Sequence, residues 1–136
     1  MKNFILTGII ALLPFVFSLQ AQGQEEAAKN TVEVYYFHAT MRCPTCLAIE
    51  EQTKKTLDEN FAEEMNSGSV KLIVINLEEK ENKAQVEKFE VGWSSLFLYV
   101  SENNTTVNLT EDAFANARSH PEDFRVELEK EIKKLL

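Results

Sequence analysis

The chain has 136 residues, 44% of them hydrophobic and 26% charged, and a formal net charge of -8. Such a length suits one domain with a single modest core and leaves no room for a second. The acidic balance argues against nucleic acid and anionic membrane as partners, since both need basic patches.

At the N-terminus, Met1-Lys2-Asn3 precedes an apolar run from Phe4 to Phe17, and small residues follow between Ser18 and Gly23. One early positive charge, an apolar core and a small-residue exit are the anatomy of a secretory signal peptide. Cleavage is expected after Ala21, with Gly23 as the alternative. The run is shorter than the roughly 18 to 20 residues that span a bilayer, and Pro14 interrupts it, so an uncleaved anchor is the weaker reading. No cysteine directly follows the run, which removes a lipoprotein anchor. The expectation is an exported chain, periplasmic in a Gram-negative bacterium, without stable membrane insertion once the signal is removed. Residues 1–21 are read as signal peptide, 22–30 as a polar, flexible lead-in and 31–136 as the folded domain.

Thr31 to Phe37 is rich in β-branched and aromatic residues and predicts a strand covered on both faces. After a short loop from His38 to Arg42, Pro44 fits the first position of a helix, where its missing N–H had no partner to lose, and Cys43 becomes the cap residue. Ile49, Leu57, Phe61 and Met65, with Leu47 alongside, form a helical stripe, while Glu50, Glu51, Lys54 and Lys55 are expected to face water. Asn66-Ser67-Gly68 ends that helix. Val70 to Asn76 predicts a second strand with Leu72 to Ile75 buried on both sides, joined to the first by a parallel crossover. A shorter helix is expected from Glu79 to Glu90, then a third strand from Leu96 to Val100. The turn Glu102-Asn103-Asn104 leads into a fourth, Thr105 to Leu109, as an antiparallel hairpin. Thr110 and Ser119 are candidate N-caps, the latter with Glu122 as a capping box. The last helix, Pro121 to Leu136, places Phe124, Leu128, Ile132 and Leu135 on one face. The order is β-α-β-α-β-β-α with a small extra helical turn, and its sheet needs helices on both faces.

The chain's only two cysteines, Cys43 and Cys46, are separated by Pro44 and Thr45. A metal clip, a structural staple and a redox centre all fit such a pair. As a staple it achieves little, because closing so short a loop hardly constrains the unfolded chain. A structural zinc site normally wants four ligands. His38 and His120 could supply the rest, although the first reads as a strand-end residue and the second as a surface residue before Pro121.

This element order, with Cys-Pro-Thr-Cys at the junction of the first strand and first helix, resembles the thioredoxin-like superfamily over Thr31 to Leu136. More narrowly it resembles the small exported ArsF-type proteins described as a subunit of a nitrophenyl-compound nitroreductase. The resemblance implies an α/β three-layer sandwich with a mixed central sheet and helices on both faces. It also implies a thiol-disulfide oxidoreductase that acts on a thiol- or disulfide-bearing protein partner, with no cofactor beyond a redox-active Cys43–Cys46 disulfide. The helix N-terminus and the neighbouring Arg42 would stabilise a Cys43 thiolate as attacking group, leaving Cys46, one turn further in, to resolve the mixed disulfide. Pro44 would stiffen the turn, and Thr45 adds a hydroxyl near the sulfurs. A monomer is expected, with a dimer as the alternative.

Three departures stand out. Ser94, within Gly92-Trp93-Ser94-Ser95, occupies the place of the family's cis-proline, so a trans bond is expected there, given the roughly 2.5 to 4 kcal/mol cost of a cis bond without proline. The first strand has no carboxylate to match the family's buried acid. Met41-Arg42 replaces the usual tryptophan before the first cysteine, and Trp93 could cover part of that surface or simply pack in the core. Losing the proline keeps a second reading open: a binding protein whose Cys43 and Cys46 thiolates hold a soft metal, a metalloid or an iron-sulfur cluster.

Overall fold

Val32–His38 forms strand β1, buried along most of its length, and the rest of the domain is arranged around it. The structure is a computed structural model and describes residues 30–136. The expected signal peptide and all of the lead-in except Asn30 lie outside the described residues. After β1 come α1 (Pro44–Asn60), α2 (Ala62–Ser67) and β2 (Val70–Asn76). A 3₁₀ turn at Lys80–Asn82 runs into α3 (Lys83–Lys88), followed by β3 (Ser95–Val100), β4 (Thr105–Asn108), α4 (Thr110–Asn116) and α5 (Pro121–Leu135).

The strands form one mixed sheet in the order β2-β1-β3-β4. β1 lies parallel to β2, with Val32 opposite Val70 and His38 opposite Asn76, and antiparallel to β3, with Phe37 opposite Ser95. β3 and β4 make the expected antiparallel hairpin.

Alternation along the central strands sends side chains to two separate cores. Val32, Val34, Tyr36, Leu96, Leu98 and Val100 pack with Ile49 and Leu57 of α1 and with Phe124, Leu128 and Ile132 of α5. On the other face Tyr35, Phe37, Phe97 and Tyr99 meet Val86 and Phe89 at the end of α3. Covering both faces makes the three-layer α/β sandwich, and each large apolar side chain fully buried contributes about 1.5 to 3 kcal/mol.

Four local expectations are corrected. The long helix breaks at Phe61, whose φ of -133° and ψ of 24° leave the helical region. Its N–H still bonds the Leu57 carbonyl at 2.9 Å, and its carbonyl accepts from Met65 at 2.8 Å. Because α1 and α2 turn apolar residues toward the same core, the hydrophobic spacing reads straight through the break. Leu47, placed alongside that stripe, is instead 50% exposed. β2 is only partly covered, with Val74 38% exposed, because it pairs on one side alone among the described residues. Neither proposed cap operates: Leu109 and His120 hold the N-cap positions of α4 and α5. Thr110 Oγ1 instead accepts from the Leu96 N–H at 3.0 Å, and the Ser119 hydroxyl donates to the Ala115 carbonyl at 2.9 Å.

Candidate active site

The parallel crossover carries the chain from the C-terminal end of β1 into α1, which sets both cysteines at the helix start. Cys43 is the N-cap residue, in extended conformation, and Pro44 opens the helix. The Cys46 N–H donates to Cys43 Sγ at 3.0 Å, so the sulfur takes the capping role a serine or aspartate would fill. The first turn contains no acidic side chain, which leaves the positive end of the helix dipole uncancelled beside the sulfurs. The two cysteines are joined as a disulfide with their Cα atoms 5.1 Å apart. Cys43 is exposed and Cys46 is only 7% exposed, so one sulfur faces solvent while the other is sheltered. Thr45, between them, is half-buried.

Beneath Cys46 lies Tyr36, fully buried at the centre of β1. Its hydroxyl donates to the Cys46 carbonyl at 2.7 Å. Burial, opposed by the nearby Arg42 charge and reinforced by Glu50, pushes the phenol up to about 12. It is therefore a fixed donor and not a base at neutral pH. Ser94 is buried, and its hydroxyl sits against the same phenol. No cis peptide bond occurs among the described residues, in keeping with the trans bond expected before Ser94.

Arg42 is turned away from a free role beside Cys43. Its guanidinium forms a salt bridge with Glu50, which also binds Lys54, and lies 5.9 Å from the centre of the Tyr36 ring. Glu50 was expected to face water but is largely covered. Partial burial alone would raise its carboxyl, yet the hydrogen bonds and charges of Lys54 and Arg42 outweigh that and hold it below the ordinary carboxylate value. Tyr36 and Glu50 are the two residues of this site that sequence reading missed. The first carries a hydroxyl inside a buried strand, but so does its neighbour Tyr35, and the second had no signal apart from its placement on α1.

Two large apolar side chains, one just before Cys43 in the chain and one next to Ser94, are exposed. Met41 is 89% exposed and Trp93 71% exposed, so the tryptophan is a surface residue and not core packing. The loop that carries Trp93 is anchored by the Ser95 hydroxyl, which donates to the Trp93 carbonyl at 2.9 Å. His38 Nδ1 lies 2.9 Å from the Ala39 carbonyl. Among the described residues no three His, Cys, Asp or Glu side chains gather as a metal-ion cluster, and the two cysteines cannot ligate while they share a disulfide.

A family model described as Thioredoxin matches residues 20–133. No curated protein matches the chain. Among solved structures it is similar to a malaria-parasite thioredoxin-2, described as a component of that parasite's protein secretion machinery. The two are 23% identical with a TM-score of 0.51, over 77% of this chain and 84% of that one. It is also similar to another malarial protein, at 19% identity and a TM-score of 0.42, over 63% of this chain and 94% of that one. The first likeness shows the fold, and neither reaches the narrower ArsF-type resemblance.

Proposed function

The chain belongs to the thioredoxin family, and from that premise we propose that it is an exported thiol-disulfide oxidoreductase working on protein partners through Cys43 and Cys46. The observation that carries this reading is the asymmetry of the pair: an exposed sulfur at a helix N-terminus, linked to a sheltered one a single turn further in. Attack is open only at Cys43, while Cys46 stays close enough to take back or release the bond.

In the oxidising direction a partner thiolate attacks Cys43 Sγ. The Cys43–Cys46 bond breaks, and Cys46 leaves as a thiolate. A second partner thiolate then attacks the partner sulfur of the mixed disulfide and frees Cys43. The partner loses two electrons, the pair gains them, and the two thiol protons of the partner end on Cys43 and Cys46. In the reducing direction the Cys43 thiolate attacks a partner disulfide and Cys46 resolves the intermediate. The redox poise of the partner decides which direction operates. In either case the thiolate of Cys43 forms at a helix N-terminus, where the dipole favours a negative charge.

A protein partner is favoured over a small disulfide because Met41 and Leu47, which flank the Cys43–Cys46 segment in the chain, and Trp93, next to Ser94, expose apolar area that a macromolecular surface would cover. Export follows from the leader-like N-terminus, and in a Gram-negative host the working compartment is the periplasm. Among the described residues no helix is long and apolar enough to cross a membrane.

The test is a redox titration of the pair in glutathione buffers, read by thiol alkylation and mass, with the pH dependence of alkylation alongside. A reversible two-electron transition with one thiol reactive well below about pH 8.5 is expected. Two ordinary thiols that form no reversible disulfide would overturn the reading.

A further inference from the structure

A groove of about 650 Å³ opens between the segment that follows α3 and the start of α4. One wall of it is the loop that carries the buried Ser94. Trp93 and Ser95, on either side of that residue, line the groove, and the Ser94 hydroxyl meets the Tyr36 phenol that holds Cys46. Phe89, Phe97 and Trp93 give the groove aromatic walls, Glu90 and Glu111 supply two carboxylates, and no Lys, Arg or His lines it. The next cation along the chain, Lys88, rests over the Tyr99 ring at 3.7 Å. Among the described residues neither Glu90 nor Glu111 takes part in a salt bridge.

A partner segment laid in this groove would strip water from both carboxylates. An acidic segment would leave them repelled as well as desolvated, whereas a basic one would pair them, and aromatic walls also attract guanidinium and ammonium groups. The net charge of -8 acts in the same sense at longer range. Backbone conformation adds to the case. Glu90 holds a φ of 52° at the end of α3, a left-handed position where glycine is favoured, so a carboxylate is kept here at a conformational cost.

Resting on the exchange reading above, we propose that this groove selects partner segments carrying a lysine or arginine beside the reacting cysteine, with Glu90 and Glu111 as the specificity-determining carboxylates. Partner class is then set beside the disulfide, and the cysteines themselves stay indifferent to it.

The test uses the reduced full domain and two short peptides, each with one cysteine held as a glutathione mixed disulfide, identical except for flanking lysines in one and flanking glutamates in the other. The lysine peptide is expected to be reduced about tenfold faster at low salt, an advantage that falls to about twofold at roughly 0.5 M salt. Glu90→Gln with Glu111→Gln should erase the preference. Glu63→Gln with Glu64→Gln, the same charge change made on α2, should keep it and should reduce the neutral hydroxyethyl disulfide at the parent rate. Equal rates for the two peptides, or a preference that survives the groove variant, would overturn the proposal while leaving the exchange reading intact. Failure to reduce either peptide or hydroxyethyl disulfide would instead remove the exchange reading, and this proposal with it.

Discussion

The Tyr36 hydroxyl donates a 2.7 Å hydrogen bond to the Cys46 carbonyl, tying the middle of the sheet to the first turn of α1. Since Tyr36 is fully buried, the bond is shielded from water and fixes where the resolving sulfur stands relative to β1. Removing the hydroxyl while keeping the ring should cost about 1 kcal/mol, because one neutral hydrogen bond is lost and no cavity of consequence opens. Tyr36→Phe is therefore expected to retain its far-ultraviolet spectrum and to melt roughly 4 °C lower; an unchanged midpoint would show that the bond carries no net stability.

The same phenol shapes the alkaline limit of the fold. Burial pushes both Tyr35, with help from the Glu33 charge, and Tyr36 up to about 12, whereas an unfolded tyrosine ionises near pH 10. The folded state keeps protons that the unfolded chain releases, so the associated stability is complete below about pH 10 and drains away as pH rises through about 12. Denaturant unfolding followed across that window should show a falling free energy, with a shallower fall in Tyr36→Phe. A flat profile would mean that neither phenol is held protonated by the fold.

Unequal exposure of the two sulfurs predicts unequal variants. Cys43→Ser should abolish exchange with a protein substrate, since no nucleophile then faces the solvent. Cys46→Ser should instead accumulate mixed disulfides on Cys43, visible as added mass on non-reducing analysis. If the trapped species appears on Cys46 of the other variant, the roles of attack and resolution are reversed.

Glu90 offers a stability gain at a functional cost. Placing glycine at its left-handed backbone position removes a strain of about 1 kcal/mol, so Glu90→Gly should unfold at a higher denaturant concentration with an unchanged slope. The variant should also lose part of the preference for basic partners. A destabilised Glu90→Gly would show that the side chain repays its strained backbone within the fold.

Trp93 is the chain's single tryptophan and stands 71% exposed on the loop that carries Ser94. Trp93→Ala should leave stability within about 0.5 kcal/mol, as surface substitutions usually do, while slowing exchange with a protein substrate severalfold. Loss of several kcal/mol on this substitution would place the indole in the core after all.

Much of the fold was legible before any coordinates. The β1 stretch, the proline after Cys43 and the apolar stripe through Ile49 and Leu57 all state their element by period or by backbone chemistry, and each depends on neighbours close in sequence. What escaped depends on separation in space. Nothing local reveals that Tyr36 reaches Cys46 across the β1–α1 loop, or that Arg42 turns to Glu50 instead of the sulfur it precedes. Nor does apolar spacing distinguish an edge strand such as β2 from a central one, since Val74 belongs to a run that would be equally at home in the middle of a sheet. The caps failed for a related reason: Thr110 and Ser119 have the right chemistry, but better-placed partners claim their hydroxyls.

The interruption at Phe61 separates two duties that one continuous rod would have linked. A rigid helix from Cys43 to Gly68 would transmit any shift at its far end along the axis to the disulfide. With the backbone leaving helical geometry at Phe61, α1 holds the core through its own Ile49 and Leu57, and α2 reaches it separately through Met65. Substitutions on the exposed side of α2 are therefore expected to leave reactivity at the sulfurs unchanged, whereas Ser69, whose carbonyl accepts from the Val32 N–H at 2.8 Å, is tied to the start of β1.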